Sequence, residues 1–120
     1  MEIKLRRYKY VFILDIVGEL DLYSSPSLVK FIEKLRKNRI RLFVLNLSNT
    51  TYLDSSGIGA FIKLHTQSKE NNEIFILSSF SKNIQEIITH AGLINFFNCE
   101  KDLKSAVKMC INMRGESNDR

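Results

Sequence analysis

The sequence predicts an α/β domain built on a mostly parallel sheet. Strand-like and helix-like segments alternate along the chain, and residues 42–47 and 74–77 are apolar almost without interruption. Continuously apolar strands are typical of a sheet that helices cover on both faces. A length of 120 residues with 44% hydrophobic content is enough for one core without metals or disulfides. We therefore expect one domain over residues 1–112, with a sheet of four to five strands and about four helices.

The N-terminal segment predicts a β-hairpin at one edge of this sheet. Ile3 and Leu5 alternate with charged residues, as in a half-exposed strand, and residues 11–17 form a second, more apolar strand. The Ser-Ser-Pro sequence at 24–26 then supplies an N-cap and a proline in the first turn. These signals predict the first helix over residues 26–37.

Three further helices follow along the chain. Residues 56–71 predict the second helix, because apolar positions recur at intervals of three and four. Its inner face carries Ile58, Phe61, Ile62 and His65. Ser81 caps a third helix, which Gly92 ends. A closing helix carries Leu103, Ala106, Val107 and Cys110.

Two short segments near the C-terminus complete the predicted secondary structure. Phe96 and Phe97 indicate a short strand between the third helix and the closing helix. Residues 113–120 contain too few apolar groups to hold them in place. We therefore expect a disordered tail over residues 113–120.

The composition argues against several classes of protein. No stretch reaches the roughly 20 apolar residues of a membrane span, and the first residues open a strand rather than a signal peptide, so we expect a cytoplasmic protein. Cys99 and Cys110 lack CxxC spacing, which favours packed, reduced thiols over a zinc or redox site. We expect no bound metal and no cofactor.

The tetrapeptide Asp54-Ser55-Ser56-Gly57 is the most informative motif. It lies between the apolar strand and the second helix, so it places two hydroxyls at a helix N-terminus. Unpaired N–H groups and the helix dipole stabilise an anion there, including a phosphoserine. Asp and Ser are also the ordinary N-cap residues of helices, so capping alone is the alternative interpretation.

A second motif, Gly18-Glu19-Leu20-Asp21, follows the second predicted strand and is interpreted as a loop. Binding sites of parallel sheets gather in the loops beyond the carboxyl ends of the strands. We therefore expect this loop and the Asp54 turn to lie at the same edge of the sheet.

A hydrolase or nucleotide-binding function has weaker support. His65 lies on the predicted core face of the second helix and His90 near the end of the third, so neither is evidently paired with Ser55. The Gly57-x-Gly59 spacing lacks the other glycine of a dinucleotide motif and the lysine of a P-loop. We therefore expect no enzymatic activity.

The formal net charge of +5 raises nucleic-acid binding as another class. Basic residues cluster on and after the first helix and in the hairpin: Lys30, Lys34, Arg36, Lys37, Arg39, Arg41, Arg6, Arg7 and Lys9. No recognition helix, basic aromatic strand surface or zinc module accompanies them in the sequence. We expect no direct nucleic-acid contact, and expect instead that this basic surface meets an acidic protein partner.

The two motifs, with Val44-Leu45-Asn46-Leu47 between them, resemble the STAS domain of bacterial anti-sigma factor antagonists. The order of strands and helices is also similar, and the resemblance extends over residues 3–111. Asn46 is a departure, since many members of the family have Asp there. The turn at 54–57 is unaffected by that change.

The resemblance implies a protein switch without catalysis. In this family the unphosphorylated antagonist binds an anti-sigma factor that is also a serine kinase, and so releases a sigma factor for transcription. Phosphorylation by that kinase breaks the complex, and a serine phosphatase restores it. By motif position the phosphate acceptor is Ser55, and Ser56 is the less favoured candidate.

The resemblance also implies a partner-binding surface. Asp54 would orient the turn and Gly57 would leave room for the kinase. The other expected partner-binding residues are Gly18, Glu19, Leu20, Asp21 and Ser56. The chain is expected to be a monomer or a weak dimer. The alternative within the family is a structural STAS subunit of a signalling or lipid-transport complex, where the serine would act only as a cap.

Overall fold

Four helices cover a six-stranded mixed sheet in the computed structural model, which describes the backbone of residues 1–118 and the side chains of residues 1–114. The elements are β1 (Glu2–Tyr8), β2 (Val11–Leu20), α1 (Ser25–Lys37), β3 (Leu42–Asn46), β4 (Thr50–Leu53), α2 (Ser55–Glu70), β5 (Ile74–Ser78), α3 (Lys82–His90), β6 (Asn98–Glu100) and α4 (Leu103–Asn118). The predicted α/β class is confirmed. The sheet has one strand more than the four to five expected.

The strands lie in the order β1-β2-β3-β5-β6, and β4 pairs with the far end of β2. The β1–β2 pair is antiparallel and the other pairs are parallel. The register aligns Leu14, Leu45 and Leu77, all fully buried, across three neighbouring strands. The predicted hairpin therefore forms the antiparallel edge, and β3 lies inside the sheet.

Side chains from successive strand positions enter two cores on opposite faces of the sheet. Helices α1, α2 and α3 cover one face, where Leu45 packs with Leu28, Phe61 and Ile84. Helix α4 covers the other face, where Ala106 and Cys110 pack on side chains that include Val44 and Ile76. This period-two alternation explains why the central strands are apolar at every position.

Strand β4 is absent from the sequence prediction, which also places Gly18, Glu19 and Leu20 in a loop. In the structure β2 continues to Leu20 and pairs with β4, with a register shift between Gly18 and Glu19. Gly18 has a φ of +98°, a backbone conformation that glycine adopts at little cost. Its N–H donates to the Asn49 carbonyl at 3.0 Å. The loop prediction was wrong because a glycine can mark a bulge within a strand as well as a turn.

The sixth strand begins directly after Phe96 and Phe97, the aromatic pair that was expected to form it. Strand β6 is Asn98–Glu100, and it pairs with β5. Phe97 is instead buried in the larger core, and its ring meets that of Phe61 edge-on at 6.2 Å. The strand was placed wrongly because Phe97 fills the space beneath α2 rather than pairing in the sheet, while Phe96 is partly exposed.

Helix α4 continues into the segment that the sequence predicts as a disordered tail. Its backbone is helical to Asn118, and residues 119–120 lie outside the described residues. Met113 packs against the core beneath α4, and the Arg114 guanidinium lies 4.4 Å from the centre of the Tyr10 ring. These two contacts explain why helix replaces the expected disorder at the start of the segment.

Within residues 1–118, no helix is long and apolar enough to cross a membrane. Cys99 is partly buried and Cys110 fully buried, and both are free thiols. Burial raises the pKa of Cys99 to about 11 and that of Cys110 to about 12, with Glu100 adding to the shift at Cys99. Both side chains therefore behave as small hydrophobic groups.

Candidate functional site

The two sequence motifs meet at the carboxyl ends of β2 and β4. Strand pairing places Leu20 beside Leu53, and the Asp54 N–H donates to the Leu20 carbonyl at 3.3 Å. Asp21 and Asp54 follow these paired ends directly and begin the connections to α1 and α2. The expectation that both motifs share one edge of the sheet is thus confirmed, and β4 is the element that joins them.

Asp54 is the N-cap of α2. Its Oδ1 accepts hydrogen bonds from the backbone N–H groups of Ser56 at 2.9 Å and Gly57 at 3.1 Å. These are two of the donors that a helix leaves without an internal partner at its start. The capping interpretation is therefore right for Asp54, and the two serine hydroxyls are not needed as caps.

Ser55 and Ser56 differ in exposure although they are adjacent. Ser55 is the first residue of α2 and is exposed, and its hydroxyl takes part in no hydrogen bond within the described part of the chain. Ser56 is partly buried and lines a groove between α1 and α2. A modifying enzyme would reach the Ser55 hydroxyl more easily, because one helical step of about 100° separates the two side chains.

Gly57 is buried against the strand ends. A Cβ at this position would lie 2.8 Å from the Leu20 carbonyl oxygen and would also clash with Leu53 Cδ1. The missing side chain lets α2 approach β2 and β4 closely. The space at Gly57 is thus filled by the protein itself, whereas a Cβ at Gly59 would meet nothing within 4 Å.

The residues of the Gly18-Glu19-Leu20-Asp21 motif have separate structural roles. Gly18 forms the bulge, Glu19 is exposed, and Leu20 is fully buried in the core. Asp21 Oδ1 accepts hydrogen bonds from the N–H groups of Tyr23 and Ser24, both at 3.0 Å. Hydrogen bonds from the Ser24 backbone and side chain and from Tyr23 lower the pKa of the Asp21 carboxyl. Asp21 therefore stays ionised and holds the turn that leads into α1.

Three exposed apolar side chains follow or precede the two motifs along the chain and belong to neither of them. Leu22 is 64% exposed, Tyr23 is 87% exposed, and Tyr52 in β4 is 46% exposed. The sequence signal for them is weak: two apolar residues in a turn and one on the exposed side of a short strand. Exposed apolar groups of this size beside a polar turn are typical of a protein-binding surface.

The groove between α1 and α2 continues this surface and has a volume of about 390 Å³. Its lining residues are Leu22, Ser25, Pro26, Val29, Lys30, Glu33, Ser56, Gly59, Ala60 and Lys63. Ser25 is 5% exposed, and its Oγ has no hydrogen-bond partner among the described residues. This oxygen has almost no accessible surface, so it is not a contact point for a molecule bound in the groove.

The histidines are remote from a Ser55-based catalytic arrangement. His65 lies ten residues further along α2, about 15 Å away at 1.5 Å per residue. It is 2% exposed and surrounded by the rings of Phe75, Phe96 and Phe97. His90 is exposed at the end of α3. No group of three or more His, Cys, Asp or Glu side chains in the described part of the chain could hold a metal ion.

Comparison of the sequence with models of known protein families identifies the family of this chain. A family model, the STAS domain, matches residues 2–106. The chain belongs to the STAS domain family. The match covers the β2–β4 edge, the Asp54 turn and α1 to α3, so the candidate site lies within the family's common fold.

The anti-sigma-B factor antagonist of Staphylococcus aureus is 36% identical over 65 residues, which are 53% of this chain and 60% of that protein. A candidate anti-sigma factor antagonist from Thermotoga maritima superposes with a TM-score of 0.83 at 17% identity, covering 90% of this chain and 93% of that one. The Bacillus cell fate determinant SpoIIAA in its phosphorylated form superposes with a TM-score of 0.67 at 16% identity, covering 90% and 98%. At these identities the two structural matches show a shared fold.

Proposed function

We propose that this STAS protein is an anti-sigma factor antagonist that is switched by phosphorylation of Ser55. The observation that carries the proposal is an exposed Ser55 hydroxyl at an already capped helix N-terminus, free of hydrogen bonds to the described residues. The antagonist name of the Staphylococcus relative and the phosphorylated form of SpoIIAA support the same function.

The unmodified site suits a protein partner. Leu22, Tyr23 and Tyr52 supply apolar and aromatic contact area, and aromatic side chains commonly dominate the energy of such interfaces. The α1–α2 groove adds the side chains of Val29 and Ser56 to the surface open to a partner. Glu19 and Asp21 would lie at the polar rim of the contact.

Phosphorylation would oppose this contact by charge. Asp54 already occupies the N–H groups of Ser56 and Gly57, so a phosphate on Ser55 would find these two helix donors taken. The modification adds a charge of about −1.5 to −2 beside the Asp54 carboxylate. A partner surface fitted to a neutral hydroxyl would lose affinity, while the exposed position of Ser55 leaves the core unchanged.

The expected partners are an anti-sigma factor with serine kinase activity and a serine phosphatase that removes the phosphate. In this role the chain itself needs no cofactor and performs no catalysis. It would act in the cytoplasm, where sigma factors meet RNA polymerase.

Affinity capture from the native cell tests the proposal. The unmodified chain and Ser55→Ala should retain an anti-sigma factor, whereas Ser55→Asp should bind it at least about tenfold more weakly, or ~1.4 kcal/mol. Thr66→Asp is a matched control, since Thr66 is exposed on the same helix and the charge change is identical. It should bind as the parent does.

Mass measurement of the intact chain after incubation with the captured kinase and ATP identifies the acceptor. Ser56→Ala should still gain one phosphate and Ser55→Ala none. The reverse result would move the acceptor to Ser56. Recovery of a transporter or a structural signalling assembly, with no phosphate on either serine, would favour the structural STAS alternative and refute the switch.

A further inference from the structure

One face of the sheet is only partly covered by helix. Five neighbouring strands spaced about 4.8 Å apart make a sheet roughly 19 Å wide, about twice the diameter of one helix. Helices α1, α2 and α3 share one face, whereas α4 alone covers the other. Helix α4 packs mainly on β3 and β5, so the side of this face nearest β1 is left open.

A groove of about 820 Å³ lies along this uncovered strip, between β1 and α4. We call it the β1–α4 groove. Its floor includes Ile13, and its α4 wall carries Leu103, Val107 and Ile111 at intervals of four residues. These three wall residues span about 12 Å along the helix. Ile111 is 39% exposed, so the apolar stripe continues from the core out into the groove.

The rim of the groove is cationic. Arg6, Arg7, Lys104 and Lys108 line it, and no acidic residue stands among its lining residues within residues 1–114. Arg6 is neutralised by Asp15, whose carboxylate accepts two hydrogen bonds from the guanidinium at 2.7 Å. The other three cations form no ion pair within the described residues. Arg7 also lines a neighbouring groove whose charged lining residues within residues 1–114 are otherwise Lys9, Arg39, Arg41 and Arg114.

The basic cluster expected from the sequence is therefore divided in the structure. Arg36 turns inward, where its Nε donates to both carboxylate oxygens of the buried Glu73 at 2.8 and 2.9 Å. Arg39 and Arg41, by contrast, lie in the groove adjoining the β1–α4 groove. The two adjoining grooves thus bring together basic side chains from β1, from α4 and from the amino-terminal ends of β3 and β5.

We propose that the β1–α4 groove binds an acidic amphipathic α-helix of a second protein partner. A helix beside α4 would complete the covering layer, with its apolar side on Val107 and Ile111 and its carboxylates on Lys104, Lys108 and Arg7. A second copy of this chain is a poor occupant, because two chains with a net charge of +5 repel each other. The groove lies across the sheet from α2, so this partner and the Ser55 partner could bind together.

A labelled synthetic peptide tests the proposal on the full chain. The probe is a helix of about 18 residues with leucine at intervals of three and four, glutamate on the flanking positions and alanine elsewhere. The control peptide carries lysine in place of glutamate. Fluorescence anisotropy should show saturable binding of the acidic peptide only, and high salt should weaken it roughly fivefold or more.

Paired variants locate the binding surface. Lys104→Glu combined with Lys108→Glu should weaken peptide binding at least about tenfold. Lys82→Glu combined with Lys101→Glu changes the net charge equally at exposed positions outside the groove, and should leave binding within about twofold of the parent. Ile111→Ser should weaken binding roughly fivefold, whereas Leu22→Ser, in the α1–α2 groove, should not. Ser55→Asp should also leave peptide binding unchanged, which separates this proposal from the switch.

Three results would overturn the proposal. The first is an acidic peptide that does not bind. The second is an equal loss of affinity in the Lys82/Lys101 control pair, which would make the attraction a property of net charge. The third is preferential binding of phosphatidylserine vesicles or duplex DNA that depends on Lys104 and Lys108, which would assign the surface to a membrane or to nucleic acid.

Discussion

The Ser55 site and the β1–α4 groove use the same fold in opposite ways. The Ser55 site is built from the ends of elements, where Asp21 and Asp54 satisfy backbone N–H groups and hold a turn in place. The groove is built from the sides of elements, where α4 leaves apolar and basic side chains near β1 exposed to solvent. A surface made of capped ends can respond to a single added phosphate. Binding to a surface made of side chains depends instead on the total charge and apolar area of that surface.

The largest expected effect is on the core that both surfaces share. Leu45 is fully buried in the middle of β3. Leu45→Asp places an unpaired charge there, at a cost of several kcal/mol against a total stability of about 5–15 kcal/mol. Thermal and urea unfolding should show loss of cooperative folding, and both binding activities should disappear together. Cooperative melting near the parent temperature would show that β3 tolerates a charge and is not the common core.

Gly57→Ala should disturb the Ser55 site and spare the groove. The added Cβ meets the Leu20 carbonyl and Leu53, and strain of this kind typically costs about 1–3 kcal/mol. Gly59→Ala is the matched control on the same helix, since its Cβ meets nothing. It should be neutral or stabilise by up to ~1 kcal/mol through helix propensity. Urea unfolding of both variants measures the difference, and equal stabilities would mean that α2 does not pack tightly on the strand ends.

Asp54→Ala should cost about 1 kcal/mol of stability by removing the cap from α2. Asp54→Asn keeps a side-chain oxygen for the Ser56 and Gly57 N–H groups and should lose less. The Asn variant also removes the negative charge beside Ser55. If charge repulsion drives the switch, the phosphorylated Asn variant should bind the anti-sigma factor better than the phosphorylated parent. Equal binding of the two phosphoproteins would point to steric exclusion instead.

The smallest expected effect is a pH dependence of folding stability, which arises at His65, outside both surfaces. Burial of His65, and then the positive charge of Lys69, lower the pKa of the imidazole below its usual value of about 6.5. The neutral form is therefore favoured in the folded state. Its stabilising contribution is present above about pH 6.5 and is lost as the pH falls through the folded-state pKa.

His65→Leu should flatten the stability curve between about pH 7.5 and 5.5. Urea midpoints measured across that range test it, whatever the absolute stability of the variant. A parent-like slope in His65→Leu would assign the pH dependence to other groups.

Local signals in the sequence were sufficient for much of the Ser55 site. A cap joins atoms only two or three residues apart, so Asp54 and the start of α2 can be inferred from a tetrapeptide. The contrast between the alternating pattern of β1 and the continuous pattern of β3 likewise identifies edge and interior strands. The assignment of Ser55 as phosphate acceptor stays a prediction, supported by exposure and by family resemblance.

Other features depend on residues that are distant in sequence. The short strand β4 is stable only because it pairs with the end of β2, and the reason for Gly57 appears only when Leu20 and Leu53 lie beneath it. Arg36 looks like one more surface charge until Glu73 is placed beside it. Packing against Tyr10 and the core likewise extends α4 beyond Cys110 into a segment whose composition suggests disorder.

The sequence by itself determined the order of the elements except β4, the interior position of β3 and the capped turn that presents Ser55. Periodicity and capping depend on residues that are close in sequence, so these features can be predicted without the rest of the chain. Only the tertiary structure decided that the two motifs are joined through the β2–β4 pair, that Gly57 faces inward, and that α4 leaves the β1 side of its sheet face open. Each of these depends on which distant segments meet, and that choice is made by the packing of the whole chain around two cores.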